Sequence, residues 1–147
     1  MGKMVYLNVR RLPTFTIVIT SYDRNELLDE SIQSCLNQSY PKNLFKVIVI
    51  NDNPERKISH SSSRVTVINN KNNLGEIESM NLITNHFESD YLCWLADDDL
   101  IHPKFLLQIA KVAMQEENIS AIYPLVIYGE LSPDWIRDEL SNNPSYS

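Results

Sequence analysis

Tyr91-Leu92-Cys93-Trp94-Leu95-Ala96-Asp97-Asp98-Asp99 places six apolar residues directly before three carboxylates. Apolar residues on both alternating faces predict a strand covered on both sides, the condition of a central strand in a parallel sheet. Parallel strands need long crossover connections, usually helical, so the flanking sequence should alternate strands with helices. Residues 15–20 (FTIVIT) and 45–50 (FKVIVI) are short, β-branched runs that read as buried strands. Residues 64–68 read as a third strand and 121–128 as a last one. Helical spacings lie between them. Leu28, Ile32, Cys35 and Leu36 recur before Pro41 closes the segment. Ile77, Met80, Ile83 and Phe87 mark a second helix. Phe105, Leu106, Ile109 and Val112 mark the buried stripe of a third, with Pro103 in its first turn. Asp23 followed by Glu26 fits a capped start for the first helix, and Ser132-Pro133 opens a short final one. The expected class is α/β, a mostly parallel sheet with flanking helices.

Composition narrows the partners. A chain of 147 residues with 43% hydrophobic and 22% charged residues predicts one soluble domain with a single core. A formal charge of -6 argues against a nucleic-acid surface, and Arg10-Arg11 is too short a basic cluster to change that. No apolar run is long enough to span a bilayer. Residues 1–13 lack the apolar core of a signal peptide, so the cytoplasm is the expected location, free or against the cytoplasmic face of a membrane. Cys35 and Cys93 are far apart within apolar patterns and read as buried free thiols. The three glycines, Gly2, Gly75 and Gly129, form no phosphate-cradling loop of the P-loop or GxGxxG kind.

The chemistry therefore centres on Asp97, Asp98 and Asp99. Adjacent carboxylates at a strand end repel one another, and a divalent cation relieves that cost. In an extended segment residues two apart point the same way, so Asp97 and Asp99 would share one target. Mg²⁺ or Mn²⁺ takes one or two protein carboxylates and completes its shell with water and phosphate oxygens. A solvated acidic turn before the next helix is the alternative. His102, beside the cluster, reads as solvated; His60 and His86 have no evident partners; Trp94 reads as core.

Four features in order resemble the family 2 glycosyltransferases, which have the GT-A fold, over residues 15–129. Thr20-Ser21-Tyr22-Asp23-Arg24 is similar to the family's P/T-x-Y-N-R loop. Residues 28–41 (LDESIQSCLNQSYP) resemble its first helix with the ending SxLxQxYP. Asn51-Asp52-Asn53-Pro54 stands where the family has D-D-x-S. Asn73-Leu74-Gly75 with Asn81, then Ser89-Asp90-Tyr91 into Asp97-Asp98-Asp99, resembles the NxGxxxARN…GeYixxlDDD stretch. The resemblance implies a Rossmann-like nucleotide-sugar-binding half with strand order 3-2-1-4. It implies a donor site built from Thr20, Ser21, Tyr22, Arg24, Asp52, Asn81, Asp97 and Asp98. Thr20 and Tyr22 would contact the base, Asp52 would accept its N–H, Asp97 would lie near the ribose, and Asp99, with Asp98 by the resemblance or Asp97 by the alternation, would hold Mg²⁺ or Mn²⁺ on the diphosphate.

The implied activity is inverting transfer from a nucleotide-diphosphate sugar, a UDP- or TDP-sugar if Asp52 reads the base, to a hydroxyl acceptor. Two departures stand out. Asn51 replaces the family's first Asp, and Met80 stands where an Arg precedes Asn81. The expected layout is an N-terminal extension over 1–13, the nucleotide-sugar-binding domain over 14–130, and a tail over 131–147 that begins the acceptor half. The inverting base belongs to that half, and none is assigned to Glu130, Asp134, Asp138 or Glu139. The chain is thus expected to fold and bind nucleotide, to transfer poorly alone, and to self-associate through apolar surface near residues 121–128 and Trp135. A binding module without turnover is the competing reading.

Overall fold

Ile17, Val18 and Ile19 follow one another in the sequence and are each 0% exposed. Successive side chains of a strand point to opposite faces, so the sheet they belong to is covered on both. The computed structural model, which describes residues 11–84, 87–115, 119–122 and 124, has seven elements. These are β1 (Phe15–Ser21), α1 (Asn25–Leu36), β2 (Phe45–Asn51), β3 (Val65–Asn69), α2 (Glu76–Thr84), β4 (Tyr91–Ala96) and α3 (Phe105–Gln115). The sheet order is β3-β2-β1-β4 and every pairing is parallel. On one face Ile17, Ile19, Val47, Val49 and Leu95 pack with Leu28 and Ile32 of α1 and Leu106 and Ala110 of α3. On the other, Val18, Ile48 and Ile50 meet Ile83 of α2. Each of the valine, leucine and isoleucine side chains among them, fully buried, contributes about 1.5–3 kcal/mol relative to exposure. The expected α/β architecture and the order 3-2-1-4 are both present.

Several details differ from the sequence reading. Asp23 does not cap α1: Arg24 is the residue at the cap, and no side chain there bonds the helix. Asp23 lies 3.5 Å from Arg56 instead. The buried positions of α2 are Ser79 and Ile83, whereas Ile77 is 73% exposed. Ile77, Met80 and Ile83 keep helical spacing, but the strip that meets the sheet is narrow and runs through Ser79. In α3 the buried pair is Leu106 and Ala110, and Val112 is exposed. Strand β3 lies one residue later than expected, at Val65–Asn69.

β4 was expected to be covered on both sides. Among the described residues only β1 pairs with it, Leu92 is 36% exposed and Trp94 is half-buried. An apolar groove of about 500 Å³ flanks it, lined by Phe87, Leu92, Trp94, Ile109, Ile119 and Ile122 among others. Ala121 and Ile122 are not in a strand. Residues 123 and 125–147 lie outside the described residues, so the rest of that strand, the helix after Ser132, the tail carboxylates and Trp135 are not placed. Residues 1–10 and His86 fall outside as well.

Both thiols are free; Cys35 is buried and Cys93 half-buried. Burial pushes each up to about 12, so they behave as small apolar side chains. No described helix is long and apolar enough to cross a membrane.

Candidate functional site

The chain runs from β1 outward to β2 and β3, then returns to place β4 on the other side of β1. The loops after β1 and β4 therefore stand side by side at the strand C-termini, and both lead to the same face of the sheet, where α1 and α3 pack. In parallel α/β sheets this switch point is where ligands bind. Thr20 is level with Ala96 and Ser21 with Asn51, which puts Ser21 and Asp97 at one edge of the sheet.

Asp97 and Asp98 form a turn rather than an extended segment, closed by Asp99 N–H to the Ala96 carbonyl at 3.2 Å. The alternation argument for Asp97 and Asp99 therefore does not hold. Asp97 is buried, Asp98 half-buried and Asp99 exposed. The positive charge nearest this turn is Arg24, whose Nη1 donates to Asp98 Oδ2 and lies 3.5 Å from Asp97 Oδ1. Part of the repulsion that a metal was expected to relieve is thus relieved by a guanidinium from the loop after β1. Among the described residues no hydrogen bond or ion pair reaches the Asp99 carboxylate, and no group of three or more His, Cys, Asp or Glu gathers into a metal cage.

The turn is held from below by α1. Ser31 Oγ, buried, lies 3.0 Å from the Asp97 carbonyl and 2.7 Å from the Asp99 carbonyl. Ser34 Oγ accepts Ile101 N–H at 3.2 Å. Gln38 donates to the His102 carbonyl at 2.9 Å and accepts Leu106 N–H at 3.0 Å. Ser39 N–H reaches the Pro103 carbonyl. One polar face of α1 thus fixes residues 97–106 and caps α3. This is the physical content of the serine and glutamine in residues 28–41, and the sequence reading had given them no role. The signal was the spacing itself: Ser31, Ser34 and Gln38 follow at i, i+3 and i+7, a helical stripe beside the one through Leu28 and Ile32.

Asn51 and Asp52 end β2. Asn51 is buried, and its amide donates to Asn69 Oδ1 at 2.8 Å and to the carbonyls of Asn53 and Arg56. A carboxylate could not donate to three acceptors, which accounts for Asn at a position where Asp was the expectation. Asp52, 7% exposed, accepts from Asn70 Nδ2 and Leu74 N–H, both at 2.8 Å, and from Gly75 N–H at 2.7 Å. Burial pushes its carboxyl up, but the bonds from Leu74, Asn70, Gly75 and Ser79 outweigh it and hold the pKa below the usual value. Gly75 has φ 80, a left-handed conformation that glycine adopts without strain, and it lets the chain present two N–H groups to one carboxylate just before α2. Asp52 thus anchors the entry to α2, with little accepting capacity left for a base.

Of the remaining expected residues, Thr20 and Tyr22 stand at the end of β1, at this edge, and Asn81 stands in the middle of α2. Thr20 is half-buried; Tyr22 is exposed beyond β1; Asn81 is exposed on α2, and Met80 is half-buried beside it. Ser21 is 4% exposed and its Oγ has no hydrogen-bond partner among the described residues. His102 is exposed and accepts Lys104 N–H at 3.1 Å; burial, then Lys104, lowers its pKa. His60 likewise accepts Ser62 N–H at 3.1 Å within its loop.

This arrangement has known counterparts. The family described as Glycosyl transferase family 2 matches residues 16–146. An uncharacterised glycosyltransferase of Haemophilus influenzae is 32% identical over 117 residues, covering 75% of this chain and 36% of its own length. The uncharacterised glycosyltransferase MJ1057 of Methanocaldococcus jannaschii is 29% identical over 125 residues, covering 79% of this chain and 42% of its own. The chain thus spans between a third and a half of the length of these relatives. Among solved structures, S. aureus TarS 1–349 in complex with UDP-GlcNAc superposes with a TM-score of 0.59 at 19% identity, over 69% of this chain and 31% of that one. The mannosyltransferase PcManGT of Pyrobaculum calidifontis, in complex with GDP-Man and Mn²⁺, gives 0.58 at 15% identity, over 74% and 34%. The fold is that of the GT-A glycosyltransferases, and the chain belongs to glycosyl transferase family 2.

Proposed function

We propose that the β1 and β4 loops together bind a nucleoside-diphosphate sugar with a divalent cation, as the donor site of a glycosyltransferase. The observation that carries this reading is the junction of an under-coordinated carboxylate turn, Asp97–Asp99, with a buried and unpartnered hydroxyl, Ser21 Oγ, at the switch point. A buried polar group without a partner is costly unless a ligand satisfies it. The donor set is oxygen only, which suits Mg²⁺ or Mn²⁺. Asp97 and Asp99 would hold the cation, which when bound supplies Lewis-acid stabilisation of the leaving diphosphate.

The chain's own residues supply the rest. Tyr22 offers an exposed ring on which a base can pack, with Thr20 at the same edge. Ser31, Ser34 and Gln38 keep the carboxylate turn in place, so its position does not have to be organised on binding. Transfer to a hydroxyl acceptor, with inversion, is part of the same reading for the whole protein.

The base is the finer question. The two solved neighbours carry uridine and guanosine nucleotides, so this fold does not select one base. We retain a uridine preference as the reading and attribute less of it to Asp52, whose oxygens are engaged by the segment before α2. Calorimetry with UDP, GDP and ADP, each with and without Mn²⁺, tests both levels. Metal-dependent UDP binding at least about fivefold tighter than ADP binding is expected, roughly 1 kcal/mol. Equal affinity for all three removes the base preference, and no metal-dependent binding of any of them removes the donor site.

A further inference from the structure

We propose that Arg24 is an exchangeable counter-ion for the carboxylate turn, which makes cation binding there conditional on a diphosphate; the inference rests on the donor-site reading above. One guanidinium nitrogen of Arg24 engages both Asp98 Oδ2 and Asp97 Oδ1. A divalent cation held by Asp97 needs oxygen atoms from the same small turn. Guanidinium and cation repel each other at that separation, so the two modes of neutralising Asp97 and Asp98 exclude one another.

The rest of Arg24 is built for exchange. It is the residue at the start of α1, and its side chain makes no cap bond to the helix. Its backbone carbonyl accepts Leu28 N–H at 2.9 Å, so the helix is held by the main chain while the side chain, 56% exposed, is free to turn. A released guanidinium presents a planar fork of donors that matches phosphate oxygens. A cation arriving alone displaces Arg24 and gives it nothing in return. A cation arriving with a diphosphate displaces it and offers it a new partner. The two ligands are thereby positively coupled, and the coupling is reciprocal. The same side chain guards the carboxylates against adventitious metal and then grips the leaving group.

The test is Mn²⁺ binding to the full chain, followed through the spin resonance of free Mn²⁺, with and without UDP and with the UDP-only background subtracted. Wild type, Arg24→Gln and Arg24→Lys are compared, and thermal melts verify that each is folded. Arg24→Gln is expected to bind Mn²⁺ alone about fivefold or more tightly than wild type, while the tightening produced by UDP shrinks by a similar factor. Arg24→Lys, which keeps the charge and loses the fork, should retain weak binding of Mn²⁺ alone and lose part of the UDP effect. A folded Arg24→Gln that binds Mn²⁺ alone no more tightly than wild type overturns the exchange and leaves the donor site standing. No Mn²⁺ binding by wild type with UDP, GDP or ADP overturns the donor site, and the exchange with it.

Discussion

Two aspartates flank β4, Asp90 immediately before it and Asp97 immediately after, and each meets an arginine from the segment flanking β1 on the same side. At the N-terminal edge of the sheet, Asp90 takes both guanidinium nitrogens of Arg11, at 2.9 and 2.6 Å, and the Thr14 N–H and hydroxyl, both at 2.8 Å. Its carboxyl is pushed up by burial, but the bonds from Thr14 and the Arg11 charge outweigh this and leave its pKa below the usual value. Tyr40 completes that edge by donating to the Pro13 carbonyl at 2.7 Å and packing edge-on to Phe15. At the C-terminal edge two carboxylates, Asp97 and Asp98, share a single guanidinium nitrogen, and the described residues bring no partner to the Asp99 carboxylate. The same residue types thus make a saturated clasp at one end and an unsaturated one at the other, separated by the roughly 20 Å length of a six-residue strand. A carboxylate whose acceptor sites are filled holds structure; one whose sites are open is available to solvent or to a ligand.

Asp99→Ala breaks the contrast most strongly. It should reduce Mn²⁺-dependent UDP affinity by about 100-fold, near 2.7 kcal/mol, with a melting temperature unchanged or raised because like charges are relieved. Calorimetry beside a thermal melt checks it, and unchanged affinity would remove Asp99 from the metal site.

Asn51→Asp attacks the neighbouring knot at the end of β2. It places a buried carboxylate against the Asn69 oxygen and two carbonyls that now receive its amide, and should cost about 2–3 kcal/mol of stability. Urea unfolding measures it; a loss below half a kcal/mol would mean that the amide bonds are dispensable and that the family's usual Asp is tolerated here.

Asp90→Ala should do the opposite of Asp99→Ala. A loss of about 1–2 kcal/mol is expected, moderated because the Asp90 side chain is 32% exposed. Nucleotide affinity should change by less than about twofold, since independent sites at this separation are close to additive. A larger affinity loss without unfolding would show that the two edges of the sheet are coupled.

The pH dependence sharpens the comparison with the smallest effect. Asp52 and Asp90 both have folded pKa values below the ordinary 3.8. Their contribution is complete above that value and is lost as pH falls through the lower folded values. Denaturation midpoints should therefore be level from pH 7 to about 5 and then fall, with a shallower fall in Asp90→Ala. Parallel curves for the two proteins would argue that Asp90 is no better satisfied folded than unfolded.

The sequence determined the elements and the chemistry at their ends. Phe15–Ser21, Phe45–Asn51 and Tyr91–Ala96 were legible because a β-branched or apolar run bounded by polar turn residues has few other ways to be buried, and the Asp97–Asp99 cluster was visible because its charge has no reason to follow such a run except at a solvent-facing edge. The resemblance of four short motifs added the strand order. Partnership was not legible. Which residue caps α1, that Ile77 faces solvent while Ser79 is buried, that Asp52 is engaged by the segment before α2, and that Arg24 answers the carboxylate turn all depend on contacts between residues 9 to 74 positions apart. Periodicity and propensity act within one element. The direction a loop leaves the sheet, and hence which charge it brings to which, is set only when β4 takes its place beside β1 and α1 lays its polar face along residues 97–106.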